Sequence, residues 1–205
     1  NGSSEFMSNV SMSIVGMLYN IELLKYAGDD GIAAYGVMMY VSMIFSAAFI
    51  GYSIGTAPVI GFHNGAGNHR ELRGILRKSL IMLCVCGALM LASAELLAEP
   101  LAKIFVSYSA PLMEMTVHGF RIFAVSFPFM GFAIFNSGFF TALNDGLTSA
   151  LISFLRTLVF QAGAVLLLPR IWELDGIWYS VVVAEIAAGL LSSMFLITKR
   201  KKFHY

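Results

Sequence analysis

The sequence predicts an all-α polytopic membrane protein with six transmembrane helices. Of the 205 residues, 58% are apolar and only 12% are charged, about half the charge of a soluble domain. Mean hydropathy is +0.78. Apolar runs of about 20 residues, the length that carries a helix across a hydrocarbon core, recur along the whole chain.

The first span is expected at about residues 4–27. Ser3 or Ser4 reads as an N-cap with Glu5 in the first turn. On that reading the chain starts inside a longer polypeptide; a cloning leader is the alternative. Asn9, Ser13, Gly16 and Asn20 recur at i, i+4, i+7 and i+11, a polar stripe that lipid cannot satisfy. Residues 28–31 (GDDG) read as a turn.

The second span, about 32–62, has Tyr35, Ser42, Ser46 and Ser53 close to one face. At about 45 Å it exceeds a core of about 30 Å, so it must tilt, bend or protrude. Its end holds Gly51, Gly55, Pro58, Gly61 and Gly65. These residues are expected to loosen the helix, with Gly51, Gly55 and Pro58 as a hinge, and small-xxx-small pairs invite close helix approach. The basic stretch 68–78 reads as a short surface helix at the headgroups.

The third span, about 79–97, is uniformly apolar and reads as scaffold. Cys84 and Cys86 within it read as buried free thiols. Pro100 is expected to end the helix, leaving a short amphipathic piece to Tyr108. The fourth span, about 111–143, should bend at Pro128 and Gly131. Its many Phe residues, with Met130, suit either a pocket for flat cations or plain packing. It also carries Asn136. The fifth span, about 147–168, holds Arg156 and stops at Pro169. The sixth, about 175–197, holds Glu185. Residues 1–198 thus form one six-helix unit, followed by a basic tail, 199–205.

Charge sets the orientation. Arg70, Arg73, Arg77, Lys78 and Lys199 to Lys202 fall on one side, against Lys25, Lys103 and Arg170 on the other. The richer side is expected to be cytoplasmic, with both termini.

Arg156 and Glu185 are expected at similar depth on adjacent antiparallel helices, about 13–15 Å inside. A lone charge there is expensive, so a pair is expected. The pair is either a static tie or a coupling site. Arg does not titrate and would keep Glu185 charged, which favours the tie. Glu114, His118 and Arg121 share a face near the outer end, as a vestibule or as a mutually satisfied cluster. His63 and His69 lack zinc-helix spacing, so no metal site is expected. No nucleophile–base pair suggests an enzyme, no cofactor is implied, and nothing suggests nucleic acid. Spans one, two and four combine polar stripes with small residues. They are the expected cavity walls, lined by Asn9, Ser13, Asn20, Tyr35, Ser42, Ser46, Met130 and Asn136.

Several stretches together resemble one family. They are NGSSEFMSN (1–9), GIAAYGV (31–37), FIGYSIGTAP (49–58), GAGNH (65–69), GFFTALNDG (138–146), RTLVF (156–160) and LDGIW (174–178), with Ala184 and Glu185. They are similar to the seventh to twelfth helices of multidrug and toxic compound extrusion (MATE) transporters, most closely the bacterial MepA-like branch. The resemblance implies twelve helices in two lobes, this chain being the C-terminal lobe and the partner an absent N-terminal lobe. It implies export of amphipathic organic cations across a bacterial plasma membrane by alternating access, coupled to proton or sodium entry. NorM-type members place carboxylates in the seventh and tenth helices near the positions of Ser13 and Met130, which cannot ionise. Coupling within this chain would then rest on Glu185. A lipid-linked precursor flippase of the same superfamily, or a non-transporting fragment, is the alternative.

Overall fold

The computed structural model describes the chain from Gly2, with side chains from Val10 onward. Glu5 and Asn9 therefore lie outside the described side chains. The described residues are helical almost throughout, with no strand. The helices are α1 (Gly2–Gly65), α2 (His69–Val106), α3 (Ala110–Ala124), α4 (Phe127–Ala142), α5 (Gly146–Phe154), a π-helical segment (Leu155–Gln161), α6 (Ala162–Leu167) and α7 (Pro169–Phe203).

α1 is two helical arms joined at Gly28, where φ is 61° and ψ is −151°. Only glycine adopts that conformation cheaply. The expected four-residue turn is thus a one-residue break. Among the described residues, four helices are long and apolar enough to cross a membrane, and α3 with α4 forms a fifth such unit bent by 48°. Dividing α1 at Gly28 makes six arms.

α2 departs from the expected layout. It runs unbroken from an N-cap at Asn68, whose side chain accepts from the Glu71 N–H at 3.3 Å. The basic stretch is its first turns, not a separate surface helix. Pro100 does not end it. Pro100 is exposed, while Ala94, Ala98, Ala102 and Val106 are buried on the opposite stripe. That i, i+4 burial holds the helix together past the missing N–H.

The α3–α4 break follows from Pro128. A proline ring clashes with the carbonyl four residues back, and α3 ends at Ala124, four residues before it. Gly131 does not bend the chain. A Cβ there would lie 2.7 Å from Phe49 Cε1, so this glycine serves close packing of α1 on α4. Gly87 does the same for α2: a Cβ would lie 2.7 Å from Pro128 Cα.

α4 is the central element, in contact with α1, α2, α5 and α7. Phe120 and Phe123 of α3 and Phe127, Phe135, Phe139 and Phe140 of α4 are buried in two hydrophobic cores. These six phenylalanines therefore act in packing, while Phe129 and Phe132 stay half-buried. Cys84 is exposed on α2 and Cys86 half-buried, contrary to the expectation of buried thiols.

The fifth arm ends at Leu167, as expected just before Pro169, which takes the first turn of α7. The direction changes at Trp172 and Glu173, where Glu173 has φ 49°. At the other end α7 continues through the basic tail to Phe203. His204 then turns left-handed at φ 58°, which tucks Tyr205 back, 3% exposed, against Phe139. The tail is a docked helix end.

Candidate functional site

The polar centre of the bundle forms where the π-helical segment faces α7. Residues five apart on an α-helix lie about 140° apart around the axis. The wider i→i+5 winding of a π-helix brings them nearer to one face, and such segments are frequent at functional sites. Arg156 and Gln161 are five apart, and both reach Glu185. Arg156 Nε donates to both carboxylate oxygens at 3.0 Å, and Nη2 donates to Oε1 at 2.8 Å. Gln161 Nε2 donates to Oε1 at 3.4 Å. Glu185 is 1% exposed and Arg156 21%. The carboxylate is thus enclosed, while its partner keeps a path outward.

A second polar contact lies further along α7. Tyr19 of the first arm is buried, and its hydroxyl is 2.7 Å from Ser180 Oγ. Its ring stacks on Tyr35 of the second arm, with centroids 4.9 Å apart and planes 6° apart. Two tyrosines therefore tie both arms of α1 to α7, five residues from Glu185.

The other expected cavity residues separate by exposure. Ser13 and Asn20 lie on the exposed face of the first arm, and Tyr35 and Ser46 are half-buried. Ser46 Oγ donates to the Met43 carbonyl at 3.1 Å. Ser42, Met130 and Asn136 are buried. Asn136 Nδ2 donates to Ser192 Oγ at 3.0 Å between α4 and α7. Met130 and Asn136 thus sit inside the bundle and not on an open wall, on the faces of α4 that pack against its neighbours. Gly51 and Gly55 meet nothing within 4 Å of their missing Cβ positions. The helix passes through them and Pro58 with helical torsions, so the expected hinge is straight here.

At the end of the bundle away from the basic stretch, Arg121 pairs with Glu99 at 3.4 Å and Glu95 at 3.9 Å, and His118 with Asp175 at 2.9 Å. These partners come from α2 and α7, so the cluster is satisfied across helices and not within one face. Among the described residues no group of three His, Cys, Asp or Glu gathers as a metal site.

The basic end carries a polar knot that the sequence did not reveal. Asp145 caps α5 by accepting from the Thr148 N–H at 3.4 Å. It also receives Lys199 Nζ at 3.1 Å and Lys202 Nζ at 3.7 Å. Burial pushes its carboxyl upward, but the Lys199 and Thr148 hydrogen bonds and the Lys199 charge outweigh it. The net shift is below the ordinary 3.8. Tyr205 is shifted upward, by burial first and by the Asp145 charge second.

Comparison with known proteins now decides the family. The MatE family model matches residues 6–165. The chain belongs to the MatE family. It is 22% identical over 186 residues to a probable multidrug resistance protein NorM of Thermotoga maritima, covering 89% of this chain and 40% of that protein. It superposes on an outward-facing multidrug resistance MATE family transporter at a TM-score of 0.91 and 21% identity, over 99% of this chain and 46% of that one. For an inward-facing multidrug resistance MATE family transporter the values are 0.92 and 20%, over 99% and 47%. A third neighbour, a MOP superfamily transporter from Pyrococcus furiosus Vc1 described as having a binding pocket of reverse polarity, gives 0.91 and 21%, over 100% and 46%. This MatE chain thus spans less than half the length of the relatives it matches.

Proposed function

We propose that this chain is the C-terminal six-helix lobe of a MepA-like multidrug exporter. It rocks against an N-terminal lobe to expel amphipathic organic cations in exchange for protons or sodium ions. The observation that carries this reading is the equal fit to two states. One chain superposes on outward- and inward-facing transporters at 0.91 and 0.92 while covering less than half of each. A unit that keeps its shape in both states moves as a body and must open and close against something else. The multidrug description of the NorM relative supports the substrate class. The basic end, by the positive-inside rule, faces the cytoplasm of a bacterial cell, with both ends of this chain.

Glu185 is the coupling candidate in this lobe. Among the described residues it is the buried carboxylate in the middle of a span, whereas buried Asp145 sits at a turn. For an ion to reach it, Arg156 must withdraw, and the π-helical segment gives the backbone a second winding through which to do so. The flippase reading is weaker. Its substrate phosphate would want an uncommitted central cation, and Arg156 is spent on Glu185.

The test uses the complete polypeptide that contains this chain, reconstituted in proteoliposomes. A proton or sodium gradient should drive ethidium against its own gradient, and Glu185→Gln should reduce the ethidium moved without loss of folded protein. If neither gradient moves ethidium, the exporter reading fails. If Glu185→Gln moves as much as the parent, Glu185 is not a coupling residue.

A further inference from the structure

A groove of about 540 Å³ opens at the basic end between α2 and α7. Arg73 and Arg77, one turn apart on α2, and Arg200 on α7 stand at its mouth, and Leu80, Ile81 and Ile197 wall it. Among the described residues, none of the three arginines is paired with an Asp or Glu side chain. Two are steered by the reversed tail instead. Arg73 Nη2 donates to the His204 carbonyl at 3.3 Å, and Arg200 Nε donates to the main-chain oxygen of Tyr205 at 3.0 Å. Each bond uses one of five guanidinium N–H groups. The tail itself is fixed, because the Tyr205 hydroxyl donates to the Leu196 carbonyl at 3.0 Å.

The groove has a direction. Ile81 lies about 6 Å beyond Arg77 toward the middle of α2, and Ser193 about 10 Å beyond Arg200 along α7. Cationic residues therefore sit at the headgroup end and apolar residues at the hydrocarbon end. We infer that this groove binds an anionic phospholipid, its phosphate between the three guanidiniums and an acyl chain along Leu80, Ile81 and Ile197. Guanidinium forks match phosphate oxygens in pairs. Basic pockets between membrane helices hold anionic headgroups. A free phosphate would leave the apolar walls unused, and a zwitterionic lipid would bring its own cation to the arginines. The inference does not depend on what the protein carries, so it stands or falls separately from the transport reading.

The experiment is native mass spectrometry of the complete polypeptide, titrated with phosphatidylglycerol or phosphatidylcholine of equal chain length. Phosphatidylglycerol should be retained where phosphatidylcholine is lost. Arg77→Gln should weaken retention about fivefold. Ser193→Phe, which fills the groove without changing charge, should weaken it at least as much. Lys78→Gln and Lys201→Gln, at the same end but outside the groove, should leave it unchanged. Equal retention of both lipids would overturn the proposal. So would an effect of Lys78→Gln as large as that of Arg77→Gln, which would mean diffuse surface attraction. Displacement by inorganic phosphate together with indifference to Ser193→Phe would point to a free anion and overturn it equally.

Discussion

Asp145 shows how one side chain ties distant parts of the chain together. It caps α5, and it holds Lys199 and Lys202 from the far end of α7. Because its folded value lies below 3.8, it contributes stability above the unfolded value. That contribution is lost as pH falls through the folded one. Melting curves from pH 7 to pH 3 should therefore steepen below about pH 4 in the parent, and Asp145→Asn should flatten that part of the curve. The Arg156–Glu185 pair makes a larger prediction. Arg156→Ala leaves a carboxylate 1% exposed without its cation and should cost about 3–5 kcal/mol. The double change Arg156→Met, Glu185→Leu should recover most of that in thermal melts. If the double variant also transports normally, the pair is a static tie. The pair was legible because two charges at matched depth in apolar runs have few other solutions. Gln161 was not, because the π-winding that aligns it with Arg156 has no sequence signature. The Asp145 contacts were hidden for a different reason: they depend on a seven-residue basic run being a docked helix end, which composition alone reads as a solvated tail.

At the scale of elements, glycines divide by what faces them. Gly87 meets the Pro128 backbone, which cannot move cheaply, so Gly87→Ala should destabilise by about 1–3 kcal/mol. Gly51→Ala and Gly55→Ala meet nothing within this chain and should leave its stability intact or raise it by up to about 1 kcal/mol. Thermal melting of the three variants checks both statements. A loss of transport in the latter two with stability intact would mark that stretch as a moving contact with another part of the protein. The spans themselves could be read from apolar runs. The boundary at Pro100 was misread, since proline is a local signal and burial of the opposite stripe overrode it, whereas the end of the fifth span just before Pro169 was placed well. The bend before Pro128 was placed well because it is a direct steric consequence of the ring. Met130 and Asn136 were assigned to a wall because periodicity reports a polar or small face without saying what covers it.

For the whole molecule, the account is a membrane bundle of the MatE family that matches less than half the length of its relatives. It fits the fold of outward- and inward-facing transporters equally well, at TM-scores of 0.91 and 0.92, and on the proposed reading it moves as one body against a counterpart. The most direct measurement is the mass of the native protein, by denaturing gel of source membranes probed with an antibody against residues 199–205. The account predicts a single band at more than twice the 22.3 kDa of this chain. A band at 22.3 kDa would contradict it, because the lobe would then exist without a covalently joined partner to rock against.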